Sequence, residues 1–113
     1  MKLEEKNMKK CETKMIEALR DGRNVSIANI ANTMVMDGAV YLHGNKIAIY
    51  DSDNCMLYLD ACGWHTVTTR SRLDALCVAL NTDYRASIRH GVLGLDNRVT
   101  GERVALPAVV PTR

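Results

Sequence analysis

Three kinds of periodicity follow one another along this chain of 113 residues. In the first segment apolar residues recur three and four apart, at Met8, Cys11, Met15 and Leu19, and Ile16 widens the stripe. Lys and Glu fill the other side, so the spacing predicts an amphipathic helix over about residues 3–20. Asp21-Gly22 supplies the stop, because glycine can take the left-handed conformation that closes a helix. Residues 24–32 show no clear period and read as a connector. From Thr33 the period falls to two, the mark of half-buried strands. Met34-Val35-Met36 and Ala39 to His43 flank an Asp37-Gly38 turn and predict a hairpin. Gly44-Asn45 and Asp51 to Asn54 are two further turns, separating strands over residues 46–50 and 55–60. Turns this short force an antiparallel meander.

The segment from Gly63 to Asp74 holds the only tryptophan and three threonines within four positions. Its alternation predicts a strand that buries Trp64 and presents threonines to a neighbour. Thr69 or Ser71 then caps a second helix over about residues 70–80, carrying Leu73, Leu76, Cys77 and Leu80 inward. A polar stretch from Thr82 to Arg85 leads into residues 86–95, and 96–101 turn the chain into 102–106 as a final hairpin. Pro107 and Pro111 keep the last stretch extended and out of any sheet interior. Strands and helices nearly segregate in sequence, so the fold class is α+β: an antiparallel meander of about four to six strands with two helices on one face. The domain spans residues 1–106, and 107–113 form an extended tail.

Composition changes this picture in two places. There is no Phe, and one Trp and four Tyr are the aromatics, so Leu, Ile, Val, Ala and six Met must fill the core. Net charge is only +2, yet all seven basic residues after Trp64 are arginines. Arginine pairs in a bidentate way with carboxylate or phosphate. Cys11, Cys55, Cys62 and Cys77 form no C-x-x-C pair, and the start of the chain has no apolar leader pattern. Four free thiols in a reducing cytoplasm follow. No apolar run approaches the roughly 20 residues of a membrane helix.

Candidate chemistry is sparse. Asp51-x-Asp53 opens like a calcium loop, but Cys55, the missing glycine and Cys62 break the pattern. His43, His65 and His90 lack paired-ligand spacing, so no metal is expected. The phosphate-loop and dinucleotide fingerprints are absent, and neither a cofactor nor a catalytic constellation is expected. The binding candidates are Trp64, Thr66, Thr68, Arg70, Arg72, Arg85 and Arg89. An exposed Trp beside arginines can anchor a protein contact or stack on a base. Equally, Trp64 can be the one large anchor of the core and the threonines cross-strand pairs. Arg70 and Arg72 stand at the start of the second helix, where positive charge opposes the helix dipole.

Residues 32–33, 40–48 and above all Gly63-Trp64-His65-Thr66-Val67-Thr68-Thr69-Arg70-Ser71-Arg72-Leu73 resemble a group of small uncharacterised proteins of tailed bacteriophages. The resemblance covers about residues 12–80, with Asp74 where those proteins often carry Asn. It implies a phage accessory protein in the host cytoplasm and carries no activity with it. Two function classes follow: a non-enzymatic protein that binds a host protein, as an inhibitor of a defence or transcription complex, or a nucleic-acid-binding accessory protein. A small enzyme or nucleotide-sequestering protein ranks third. Homodimerisation is open.

Overall fold

The computed structural model describes residues 10–27 and 32–112; the first part of the predicted N-terminal helix, including Met8, lies outside them. Eleven elements follow in order. Helix α1 is Lys10–Asp21, and strands β1 Val25–Ile27, β2 Thr33–Met36, β3 Ala39–Leu42, β4 Asn45–Asp51 and β5 Met56–Leu59 come next. Helix α2 is Val67–Ala79, followed by β6 Tyr84–Arg89, β7 Val92–Asn97, β8 Arg103–Ala105 and β9 Ala108–Pro111. Among the described residues the strands form two sheets, in the orders β1-β2-β3-β4-β5-β9 and β6-β7-β8. Every pairing is antiparallel, and the fold class is α+β.

Local chemistry accounts for most boundaries. Gly22 closes α1 at φ +68°, and Arg23 donates back to the carbonyl of Ala18 at 2.8 Å. Asp37 and Gly38 both take positive φ (50° and 80°), the conformation a two-residue hairpin turn demands. His43 and Gly44 repeat it between β3 and β4. The Asp51–Asn54 turn is held because Asp51 accepts from the Asn54 backbone at 3.2 Å and from its side-chain amide at 2.8 Å. It is a turn, as its failed calcium pattern implies.

One continuous core lies where the helices cover the larger sheet. Met15, Ile16 and Leu19 of α1 meet Val35, Val40, Leu57 and Leu59 of the sheet and Leu73 and Leu76 of α2, all buried. Each such side chain contributes roughly 1.5–3 kcal/mol by leaving water. Helix α2 also packs on β6, whose Ala86 joins Leu93 and Leu95 of β7 in the same core.

Four expectations need correction. Residues 64–69 are not a strand: Thr66 caps α2, its hydroxyl accepting from the Thr69 backbone at 3.2 Å, so the helix begins three residues before position 70. Trp64 is 55% exposed and no core anchor. Residues 86–95 are not one run but two strands reversed at His90-Gly91, both at positive φ. Residues 25–27, read as connector, are the edge strand β1. The stretch after Pro107 is extended and also pairs along β5, where Val110 is buried.

All four cysteines are free thiols. Burial pushes the Cys77 thiol up to about 12. Burial, then the Asp60 carboxylate, raises Cys62 as well, and its thiol is spent on the Lys46 carbonyl at 3.0 Å. Cys55 is exposed at a turn. Iodoacetamide followed by mass spectrometry should therefore modify Cys55 first and Cys62 slowly, sparing Cys11 and Cys77 until denaturant is added. Reductant should leave the melting temperature unchanged.

Candidate functional site

The surroundings of Trp64 are built by a tight turn that runs directly into a helix. Cys62 and Gly63 both sit at positive φ (53° and 80°), and the Trp64 backbone donates to the Ala61 carbonyl at 2.8 Å. Asp60 steadies the turn by accepting from the Cys62 backbone at 3.0 Å. One residue on, His65 Nδ1 accepts from the Leu93 backbone at 2.9 Å, which places the ring proton on Nε2 and ties the loop to β7. Thr66 then starts α2, and its hydroxyl lies 3.0 Å from that of Thr69. The backbone is thus fixed on both sides of Trp64 while about half of that residue stays exposed to water.

Between the indole and the first turn of α2 lies a pocket of about 230 Å³ lined by Leu42, His43, Ile47, Trp64, Thr66, Thr68 and Thr69. Leu42 and Ile47 are buried and make an apolar floor. Thr66, Thr68 and His43, all exposed, make the rim. Val67, largely exposed, extends the apolar surface beside it. Sites for drug-sized ligands and cofactors run to about 300–1,000 Å³, so this hollow suits a single inserted side chain.

Three of the sequence-predicted residues, Trp64, Thr66 and Thr68, meet here. The arginines do not. Arg72, expected at the surface, has only 4% of its side chain exposed and pairs with Glu12 of α1 at 2.7 Å. Its Nε donates to Thr33 at 3.3 Å, and Ser71 donates to the same Glu12 carboxylate. As a binding candidate Arg72 is therefore corrected: its charge secures α2 to α1. Asp74 is bound by Arg85 through two bonds of 2.8 and 2.7 Å, and also accepts from the Ala86 backbone. Arg89 pairs with Asp96 at 3.1 Å. Arg70 is half-buried near the start of α2, with no carboxylate paired to it among the described residues.

Asp96 gathers the outer face of the smaller sheet. Ser87 donates to it at 2.6 Å and Arg103 at 2.9 Å, and Arg103 also reaches the carbonyls of Ser87 and Val92. Its guanidinium lies against Gly94, where an added Cβ would come within 3.1 Å. Partial burial raises the Asp96 pKa, but the bonds from Ser87 and Arg103 and the charges of Arg89 and Arg103 outweigh it, and the carboxyl titrates below its ordinary range. A depressed carboxyl contributes stability above the unfolded value of about 3.9 and loses it as pH falls through the folded value. Melting followed below about pH 4 should therefore fall less steeply in Asp96→Asn than in the parent chain.

Sequence reasoning missed His65, Leu42, His43 and Ile47. The available signal was the glycine turn at Gly44, which in the structure is His43-Gly44 and brings the ends of β3 and β4 together. Among the described residues no group of His, Cys, Asp and Glu could hold a metal, and no helix is long and apolar enough to cross a membrane. Residues 8–102 match a family model described as Kyanoviridae Gp96 protein. No curated protein and no solved structure matches the chain.

Proposed function

The chain belongs to the Kyanoviridae Gp96 protein family, a family of phage proteins, and we propose that it works without catalysis, by binding a host protein at the Trp64 pocket. One observation carries the reading. The chain's only tryptophan is 55% exposed although the backbone on either side of it is held by four hydrogen bonds. Burying an indole is among the largest gains open to a chain of this composition. A rigid stage that keeps it in water, beside a hollow of side-chain size, has the form of an interface hot spot: an aromatic anchor and a pocket fixed before the partner arrives. The place of action is the cytoplasm of the infected bacterium, which suits four free thiols. Inhibition of a host defence or transcription complex is the effect such capture would have.

Nucleic-acid binding draws less support from the same geometry. Arg72 is buried, and Arg85 and Arg89 already hold carboxylates. The two readings separate in one experiment. Tagged protein incubated in host lysate should enrich a host protein, and Trp64→Ala should abolish that enrichment. Enrichment equal in both forms, or a gel shift with short RNA or DNA that weakens steeply with salt, would remove the protein-capture reading.

A further inference from the structure

Among the described residues the larger sheet carries helices on one face. Cross-strand register sets Met36, Ala39, Ile49, Tyr58 and Val109 side by side on the other, one from each of β2, β3, β4, β5 and β9. Met36 is 41% exposed, Ile49 38% and Val109 56%, Tyr58 is half-buried, and Ala39, the small residue between Met36 and Ile49, is buried. Three of the large apolar side chains that the described fold leaves in solvent thus fall in a single row about 19 Å long. Scattered exposed apolar residues need no explanation, but a continuous row does. Tyr and Met are also the residue types enriched where proteins meet.

The charges beside the row decide what covers it. Among the described residues the strands place two charged side chains on this face, Lys46 and Asp51, and they stand on opposite sides of the row at the two ends of β4. Lys46 lies over the Tyr41 ring at 5.8 Å, and the Asp51 carboxyl is held below its ordinary range by hydrogen bonds from Asn54. Asp60, just beyond β5, is engaged by the Tyr58 hydroxyl at 3.1 Å. Five residues of strand separate Lys46 from Asp51, about 16 Å, twice the screening length of about 8 Å at physiological salt. Within one chain they barely interact. A half-turn about the row reverses the strand, and then the cation of one copy faces the anion of the other.

We propose that this face is where two copies of the chain associate about a two-fold axis along the Met36–Val109 row, with each Lys46 opposite the partner's Asp51. Such a contact is isologous: one patch complements itself, apolar along the axis and oppositely charged on its two flanks. Six strands span about 24 Å, which with strands this short gives on the order of 400 Å² in plan per copy. That is the low end of specific interfaces, so the dimer is a weak one. The surface is the opposite face of the sheet from the helices and does not depend on the Trp64 reading.

Sedimentation velocity of the full chain, up to about 1 mM, tests this. The parent protein should move from the mass of one 12.6 kDa chain toward twice that as concentration rises. Ile49→Lys should stay monomeric throughout, and Val109→Lys should follow it, each with an unchanged melting temperature because both side chains point away from the core. Lys46→Asp should weaken association about tenfold or more, and Lys46→Asp combined with Asp51→Lys should restore it. A parent chain that stays monomeric overturns the proposal, and so does a dimer that survives Ile49→Lys. If the charge exchange folds and fails to restore association, the two-fold arrangement is wrong. Should Asp51→Lys unfold its turn, the Ile49→Lys result decides alone.

Discussion

Arg72→Met will cost the protein about 3–5 kcal/mol, on the order of 10–20 °C in melting temperature for a chain of this size. The reason is the carboxylate left behind. Glu12 is 4% exposed on its side chain, lies among α1, α2 and β2, and is bonded to Arg72 at 2.7 Å. Ser71 still donates to it, but a hydroxyl carries no charge to set against a buried carboxylate. Removing both charges should be far milder. Glu12→Leu with Arg72→Met exchanges a desolvated pair for apolar contacts and should recover most of the loss. Urea denaturation of the two single variants and the double variant reads this directly. A double variant as unstable as either single would mean that the network of Glu12, Arg72, Ser71 and Thr33 stabilises the fold beyond charge balance.

Trp64→Ala should have the opposite profile. With the indole in solvent and the backbone anchored by its neighbours, the fold should lose no more than about 0.5–1 kcal/mol. Leu73→Ala, at a fully buried position, should lose about 2–5 kcal/mol. Binding of the host partner should suffer instead, by about 2–4 kcal/mol, roughly 30- to 1,000-fold in affinity. A large fall in melting temperature for Trp64→Ala would return the indole to the core and remove the site.

How much of this was legible in the residues depends on how local the cause is. Asp37-Gly38 and Asp51 to Asn54 marked the meander, because each turn carries its own conformational requirement, and the turn read at Gly44-Asn45 falls one residue earlier, on His43-Gly44. The spacing of Cys11, Met15, Ile16 and Leu19 gave the first helix. The errors arose where local cues competed. Thr66-Val67-Thr68-Thr69 is β-branched throughout and alternates like a strand, yet a single hydroxyl from Thr66 to the Thr69 amide outweighs that preference and starts a helix. The caps read from the sequence were Thr69 and Ser71, and the structure uses Thr66 instead. His90-Gly91 is a hairpin turn without the usual Asn or Asp, so residues 86–95 read as one run. The fate of the arginines was beyond local reading. Arg72 meets Glu12 across 60 positions and Arg85 takes Asp74, both settled by how helices and sheet pack. The candidate site was half legible: Trp64, Thr66 and Thr68 stand out as a rare residue among hydroxyls. Its floor, Leu42 and Ile47, reads in sequence as ordinary core.

The indole is the chain's only tryptophan, so its fluorescence reports on the proposed contact without labelling. Titrating the protein with the host protein it captures, and following emission and acrylamide quenching, tests the central claim most directly. In the free protein the indole should emit as a solvated ring, open to quencher. As the partner saturates, emission should move to shorter wavelength and quencher access should fall, because the ring leaves water on binding. An unchanged emission and unchanged quenching at saturation would contradict the account: the partner would be bound elsewhere, and Trp64 would not be its anchor.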